Sequence, residues 1–352
     1  MKIKKGFNDF LFYASRKLNY PLNKPDWVSV NLTLKCNLKC SMCQTCYEVK
    51  DELTTEEIKD LMEQVEEWDV KTFNAIGGEP FVRPDIMELL EYASKKKFYT
   101  TITTNGTLID KQRAEKLADW DKITLIFSID GFEEEHDNIR GGGSFKKAVE
   151  TIKAIRKFEK ENNLHPKHIS VNCIIHDRNF KNLIDFMGFI KSLGANGVQF
   201  LGLFDLKKNK NLSLWIRESK LNEFNTAIDK LCGYIKNDNS GFNYANSVKN
   251  LQLFKKYYSK TLDSNELKCY NGLKEFYINS DGNGIMCDGK LNFIANKMGN
   301  IRKDSLKNIW KSKKAKEMRK KIKNCKHPCI QECYLRQDSD CLKNILKTII
   351  SK

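Results

Sequence analysis

The stretch that decides the fold is Trp27-Val-Ser-Val-Asn-Leu-Thr-Leu-Lys-Cys36-Asn-Leu-Lys-Cys40-Ser-Met-Cys43. Its first eight residues alternate in polarity and are rich in residues that favour extended backbone, which predicts a strand over residues 27–34. Three cysteines follow that strand directly. Because soft thiolates bind zinc or iron–sulfur clusters, the segment predicts a strand that ends at a metal centre.

Strands and helices alternate after this segment. We predict strands over residues 27–34, 72–76, 98–104, 122–129, 168–175 and 197–203. We predict helices over residues 54–67, from Arg83 with Pro84 in the first turn, and over 110–119, 145–159 and 183–192. Such alternation is typical of βαβ units and a parallel sheet. The expected fold class is α/β, a partial (β/α)6 TIM-like barrel with a small C-terminal cysteine-rich Fe-S appendage.

The remaining sequence divides by composition. We expect an N-terminal amphipathic segment over residues 1–24, the barrel over 25–205, a helical bridge over 206–265 and the cysteine-rich domain over 266–352. The bridge contains a helical pattern at 221–235. Residues 279–284 are turn-rich and predict a hairpin, and residues 305–323 predict a basic helix.

Glycine or polar residues follow four successive predicted strands. They are Cys36 to Cys43, Gly77-Gly78-Glu79-Pro80, Thr103-Thr104-Asn105-Gly106 and Ser128-Ile129-Asp130-Gly131. The loops after parallel strands lie at one edge of the sheet, which is the active face of such folds. Ordinary turn chemistry explains any one of these loops, but four in succession favour a functional site.

Two alternative kinds of metal centre are compatible with the loop from Cys36 to Cys43. Three thiolates can bind three irons of a 4Fe-4S cluster and leave the fourth iron open. A structural zinc site needs four closed ligands, and Cys46 could supply the fourth. The first loop alone does not decide between them.

The cysteine spacing Cys36-x3-Cys40-x2-Cys43 and the Gly77-Gly78-Glu79-Pro80 loop together resemble the radical S-adenosylmethionine (SAM) superfamily. The resemblance extends through the 128–131 loop and residues 136–141, and it covers about residues 25–205. It implies that SAM binds the open iron of a 4Fe-4S cluster. It also implies that the SAM amino end meets Gly77, Gly78 and Glu79.

The resemblance implies three further contacts with SAM. Ser128 and Arg140 are expected at the ribose or the carboxylate. Met42 stands where the family usually has an aromatic residue, and a methionine can also line an adenine pocket. The implied activity is reductive cleavage of SAM to a 5′-deoxyadenosyl radical that abstracts hydrogen from a substrate. The electron is expected from a reductant such as flavodoxin or ferredoxin.

The C-terminal cysteines resemble the SPASM/twitch appendage of the same superfamily. Cys269, Gly282 and Cys287 fit its first half. The second half departs from the SPASM pattern, because it has only Cys325, Cys329, Cys333 and Cys341, a count that favours one auxiliary cluster as in a twitch domain. The resemblance implies an auxiliary 4Fe-4S cluster on Cys269, Cys287 and two of the next three cysteines. A structural zinc ion is the alternative at this end.

The charge of the chain is uneven. The formal net charge is +16, and residues 301–352 hold 16 Lys or Arg against 5 Asp or Glu. No nucleic-acid motif accompanies this charge, so we expect a solvated helix face and no nucleic-acid partner. No long apolar run or secretory signal occurs, which predicts a cytoplasmic protein. Within residues 342–350, leucine and isoleucine recur at a spacing that places them on one helix face. This face could pack on the barrel or make a peripheral contact with a membrane.

The sequence leaves the substrate open. An auxiliary cluster favours net oxidation, either of a peptide or of a small molecule. No additional peptide-recognition domain precedes Cys36 in this sequence, which weakens the case for a peptide without excluding it. The sequence is also compatible with an RNA-modifying enzyme and with a non-catalytic Fe-S or zinc protein, although the Gly77 to Pro80 loop argues against a non-catalytic role.

Overall fold

The computed structural model describes residues 2–43, 51–204, 214–263, 266, 269–287, 297–326 and 329–330, with side chains from residue 7 onward. Within them the strands are β1 Trp27–Thr33, β2 Thr72–Gly77, β3 Tyr99–Thr104, β4 Ile123–Ser128, β5 Ile169–Ile175, β6 Gly197–Gly202, β7 Asn243–Tyr244, β8 Glu275–Ile278 and β9 Gly284–Ile285. The helices are α1 Lys2–Leu18, α2 Thr55–Glu67, α3 Ile86–Ser94, α4 Lys111–Asp119, α5 Glu133–Arg140, α6 Ser144–Glu161, α7 Leu183–Ser192, α8 Leu221–Asn237, α9 Val248–Tyr258, α10 Leu306–Lys311 and α11 Lys313–Lys323. None of the described helices is both long and apolar enough to cross a bilayer.

The described strands form one open sheet in the order β7-β6-β5-β4-β3-β2-β1-β8-β9. Strands β1 to β6 pair in parallel and in sequence order, so their carboxyl ends lie at one edge. The apolar strand residues are buried with one side of the connecting helices, in a single large core. The predicted fold class and the six predicted strands are confirmed.

Strand β8 lies in the cysteine-rich segment, yet it pairs in parallel with β1. Trp27 is in register with Glu275, and Val30 with Ile278. The Ser29 hydroxyl donates to the Glu275 carboxylate. The C-terminal segment therefore extends the barrel sheet through backbone hydrogen bonds. The predicted hairpin at residues 279–284 is confirmed as the antiparallel β8–β9 turn.

Two predicted helices differ in the structure. Helix α3 begins at Ile86 instead of Arg83 because the backbone at Arg83 is extended, with ψ 130°. The Arg83 guanidinium also binds Asp85 and the Leu32 carbonyl, and so fixes this segment outside the helix. The basic helix predicted over 305–323 is interrupted at Ser312, whose side chain accepts from the Ala315 amide and starts α11.

Helix α1 packs against the cysteine-rich segment. Phe12 forms a small separate core with Tyr270 and Leu273, and Asp9 lies 3.5 Å from the ammonium group of Lys274. The first and the last parts of the described chain are therefore joined.

Trp310 of α10 connects the C-terminal segment to the barrel. Its buried ring packs edge-on against Trp68, with the ring centroids 6.0 Å apart, and in a tilted arrangement against Phe276 of β8, with the centroids 5.2 Å apart. We expect Trp310→Ala to destabilise the protein by about 3–5 kcal/mol, since the vacated volume is large and enclosed. Anaerobic urea titration followed by circular dichroism measures the change.

The exposed neighbour Lys311 supplies the control. Lys311→Ala is expected to change the stability by about 0.5 kcal/mol or less. An unchanged unfolding midpoint for Trp310→Ala would show that Trp310 does not join the two parts.

Candidate functional site

The cysteine loop, residues 36–43, starts at the carboxyl end of β1 and is fastened to the loop after β2. The amide of Gly78 donates to the Thr33 carbonyl at 2.8 Å, and the amide of Glu79 donates to the Lys35 carbonyl at 2.8 Å. A Cβ atom on Gly77 would lie 2.1 Å from the Thr33 oxygen, and one on Gly78 would lie 2.1 Å from the Lys35 oxygen. Only glycine permits this approach of two backbones.

Glu79 joins the loop after β2 to the loop after β3. Its buried carboxylate accepts from the Phe81 amide at 3.1 Å, the Thr104 hydroxyl at 2.8 Å and the Asn105 amide at 2.6 Å. Burial raises the pKa of Glu79, although these donors oppose the shift. The Asn105 side chain then donates to Asn37 inside the cysteine loop at 3.0 Å. Three strand ends are thereby held together.

Asp130 and Arg140 form a buried ion pair after β4. Arg140 Nε lies 2.6 Å from an Asp130 oxygen, and the Ile174 amide donates to the other oxygen at 2.7 Å. Burial acts to raise the pKa of Asp130, but Arg140 outweighs it and leaves the pKa below its usual value. Burial also lowers the pKa of the neighbouring His136 to about 4, so this imidazole is neutral.

The end of α5 contacts the cysteine loop through two backbone carbonyls, and the charge of the Arg140 side chain acts on Cys40. The Ser41 amide donates to the Ile139 carbonyl at 2.8 Å, and the Cys40 sulfur lies 4.0 Å from the Arg140 carbonyl oxygen. Burial raises the pKa of Cys40 to about 11, and the Arg140 charge opposes that shift. Cys36 accepts a hydrogen bond from the Leu38 amide at 3.4 Å.

The structure places the predicted N-terminal site residues at one edge of the sheet. Direct contacts connect the cysteine loop with Gly78, Glu79 and Arg140. Ser128 is the last residue of β4. Met42 is half-buried against the main core.

The donor set fits an iron–sulfur cluster that has an open iron. Among the described residues, no three His, Cys, Asp or Glu side chains converge on a single ion position. A cubane cluster does not need such convergence, because each thiolate binds a different iron. An amide donor to Cys36 and a guanidinium near the other thiols are the kind of surroundings that stabilise bound thiolates. Cys46, the fourth ligand of the zinc alternative, lies outside the described residues.

The segments that carry the C-terminal cysteines contact helix α1 and strand β6. Arg16 of α1 donates to the Cys269 carbonyl at 3.0 Å and to the Lys323 carbonyl at 3.4 Å, two residues before Cys325. Ile330, next to Cys329, packs on Gly202 at the carboxyl end of β6. Cys287 follows β9. Cys333 and Cys341 lie outside the described residues.

Sequence analysis did not identify Glu52 or Arg16 as site residues. Glu52 accepts from the Thr33 hydroxyl at 2.9 Å and from the Leu34 amide at 3.0 Å, and so fixes the entry to the cysteine loop. Arg16 reaches residues more than 250 positions away. Neither residue stands in a local pattern, so the sequence held no signal for them.

Comparison with known proteins adds two family matches. Residues 30–190 match the radical SAM superfamily, and residues 269–341 match SPASM, an iron-sulfur cluster-binding domain. These two regions contain the two predicted cysteine groups.

Individual relatives agree with these matches. The mycofactocin maturase MftC of Mycobacterium tuberculosis is 33% identical over 177 residues, which cover 49% of this chain and 44% of that protein. The AdoMet-dependent heme synthase of Methanosarcina barkeri is 32% identical over 178 residues, 49% of each chain. The matched region thus spans about half of the length of these relatives.

The fold is that of Streptococcus suis SuiB bound to S-adenosylmethionine, with a TM-score of 0.72 at 18% identity over 93% of this chain and 80% of that one. The predicted cofactors, SAM, a 4Fe-4S cluster and an auxiliary cluster, are confirmed by the two domain matches. The chain therefore carries a radical SAM domain over residues 30–190 and a SPASM domain over residues 269–341.

Proposed function

We propose that this protein is a radical SAM enzyme whose 4Fe-4S cluster is held by Cys36, Cys40 and Cys43. The observation that carries the proposal is the fastening of the cysteine loop to Gly78, Glu79 and Arg140. When bound, the cluster and SAM supply reductive cleavage to a 5′-deoxyadenosyl radical that abstracts hydrogen from the substrate. The protein holds the reacting groups in place and excludes water.

The SAM amino group needs hydrogen-bond acceptors. The amides of Gly78 and Glu79 already donate to the cysteine loop, so the acceptors we propose are the carbonyls of Gly77 and Gly78. A carboxylate has about four acceptor sites, and three protein donors leave one of them on Glu79. The Glu79 carboxylate would thus accept hydrogen bonds both from the SAM amino group and from the loops after β2 and β3.

The SAM carboxylate needs a cation, and we assign Arg140 to it. Asp130 fixes the guanidinium beside the cysteine loop and so orients it before SAM arrives. We further propose Ser128 for the ribose and Met42 for the adenine, since both lie at the same edge of the sheet.

For the second site we propose an auxiliary 4Fe-4S cluster on Cys269, Cys287 and two of Cys325, Cys329 and Cys333. Its domain is hydrogen-bonded to β1 through β8, which favours a fixed distance between the two centres. Such an auxiliary cluster can accept an electron from the substrate. We propose a flavodoxin or a ferredoxin as the reductant of the cluster on Cys36, Cys40 and Cys43.

A peptide is the substrate that we favour, in a cytoplasmic setting. Support comes from the mycofactocin maturase MftC and from SuiB, which has been solved with its precursor peptide SuiA. A small molecule is the second candidate, favoured by the match to a heme synthase. Mass spectrometry of peptides and metabolites from cells with and without the gene decides between them.

The proposal that one iron of the first cluster has no cysteine ligand can be tested by comparing Cys46 with the three proposed ligands. Anaerobically reconstituted protein is expected to hold about eight irons per chain if both clusters are 4Fe-4S. Cys36→Ala, Cys40→Ala or Cys43→Ala should abolish formation of 5′-deoxyadenosine, while Cys46→Ala leaves it largely intact. Equal loss in all four variants, or stoichiometric zinc without iron, would contradict the proposal.

The close backbone approach at Gly78 provides a second test. Gly78→Ala should displace the cysteine loop, lower the iron content from about eight to about four per chain and abolish SAM binding. Gly142→Ala is the matched control, because nothing lies within 4 Å of a Cβ at that position. Iron analysis and equilibrium dialysis with labelled SAM measure both effects. A Gly78→Ala protein with full iron content would show that the glycine does not position the loop.

The two clusters should be needed for different steps, the first for SAM cleavage and the second for conversion of the substrate. Replacing Cys269 and Cys287 with alanine should leave cleavage of SAM to 5′-deoxyadenosine intact but abolish substrate turnover, because the second cluster has no open iron. Circular dichroism and iron counting exclude loss of the folded domain as the cause. A folded double variant that still converts substrate normally would show that the second cluster has no catalytic role.

A further inference from the structure

A basic cavity lies at the carboxyl edge of the sheet, between the loop after β5 and the start of α8. Its volume is about 410 Å³, and its lining consists of Asp177, Arg178, Lys181, Arg217 and Lys220. The Asp177 amide donates to the Leu214 carbonyl at 2.9 Å, which joins the two walls. Because β1 and β5 run parallel in one sheet, the cavity opens at the same edge as the cysteine loop.

Asp177 orients two of the cations without neutralising the cavity. Its carboxylate lies 2.9 Å from Arg217 and 2.9 Å from Lys220. Burial acts to raise the pKa of Asp177, but these two partners outweigh it and lower the pKa. The aspartate is therefore ionised, and four positive side chains surround one negative group.

The other two cations face solvent. Lys181 lies 2.7 Å from Glu223, but both side chains are about half exposed, so this pair is weak. Arg178 is exposed, and its side chain makes no ion pair with the described residues. Its guanidinium can bind an incoming carboxylate through two parallel hydrogen bonds.

Two helix N-termini add to the positive potential. Helix α7 has 10 residues and α8 has 17, and neither Asn182 nor Lys220 caps its helix with a side-chain hydrogen bond. Lys181 and Lys220, which line the cavity, directly precede these two helix starts, and Asp185 and Glu223 in the first turns partly offset the positive helix ends.

We propose that this cavity binds carboxylate groups of an acidic peptide, with Arg178 and Lys181 as primary contacts and Arg217 and Lys220 held ready by Asp177. The proposal rests on the proposed peptide substrate and narrows it to a peptide with an acidic segment. The cavity would hold that segment while another part of the peptide reaches the cysteine loop.

The test measures binding without turnover. Two fluorescein-labelled 12-residue synthetic peptides, one with four glutamates and one with four glutamines in their place, are titrated with reconstituted protein and SAM in the absence of reductant. Fluorescence anisotropy at low salt should give about tenfold tighter binding of the glutamate peptide. Arg178→Gln/Lys181→Gln should reduce this preference to about twofold or less.

Lys153→Gln/Lys160→Gln is the matched control, since it removes two exposed positive charges from α6, a helix that contributes no residue to the lining of the cavity. It should retain the preference for glutamate. Equal loss in both variants would assign the preference to the overall charge of +16 and overturn the proposal. So would equal binding of the two peptides by the unmodified protein.

Competitors separate the candidate ligands. Stronger competition by inorganic phosphate or by single-stranded RNA than by unlabelled glutamate peptide would contradict the assignment to carboxylate. Formation of 5′-deoxyadenosine is measured separately, with reductant. If the unmodified protein forms no 5′-deoxyadenosine, the proposed enzymatic function is refuted while the peptide-binding result still stands. The Arg178→Gln/Lys181→Gln variant should cleave SAM, in the absence of peptide, at the rate of the unmodified protein.

Discussion

The site depends on one contact, the approach of the β2 backbone to the β1 backbone beyond the ends of the two strands. Gly77 and Gly78 allow carbonyl oxygens of Thr33 and Lys35 to lie where side-chain carbons would otherwise be. The amide hydrogen bonds formed there fix the first residues of the cysteine loop. Without this contact the start of the cysteine loop would lose its backbone hydrogen bonds to the loop after β2 and would be held only by side chains such as Glu52 and Asn105.

The rest of the site is arranged around that loop by charge and hydrogen bonding. Glu79 holds the strand ends together on one side, and the Asp130–Arg140 pair supplies a positive group on the other. Both carboxylates are buried, and each has several donors. Buried charges without such partners would be strongly destabilising. The network therefore combines a structural role with the placement of charge near the thiols.

Much of this arrangement could be predicted from local patterns. The six barrel strands and the hairpin turn follow from alternation and from turn residues, and the cysteine loop follows from spacing. The start of α3 could not be predicted, because Pro84 signals a first turn while the side-chain contacts of Arg83 act over a distance. The β1–β8 pairing and the Arg16 contacts join residues more than 240 positions apart. Such contacts arise from the tertiary fold, and no single segment encodes them.

The pairing of β8 with β1 also has a consequence for modularity. The predicted boundary near residue 265 lies in sequence between two family domains, but no linker separates them in the sheet. A fragment that ended there would expose the backbone edge of β1 from Trp27 to Val30, and an exposed strand edge is a template for aggregation. Separating the two matched regions of this chain would therefore require β8 to stay with the barrel, since both regions contribute strands to one hydrogen-bonded sheet.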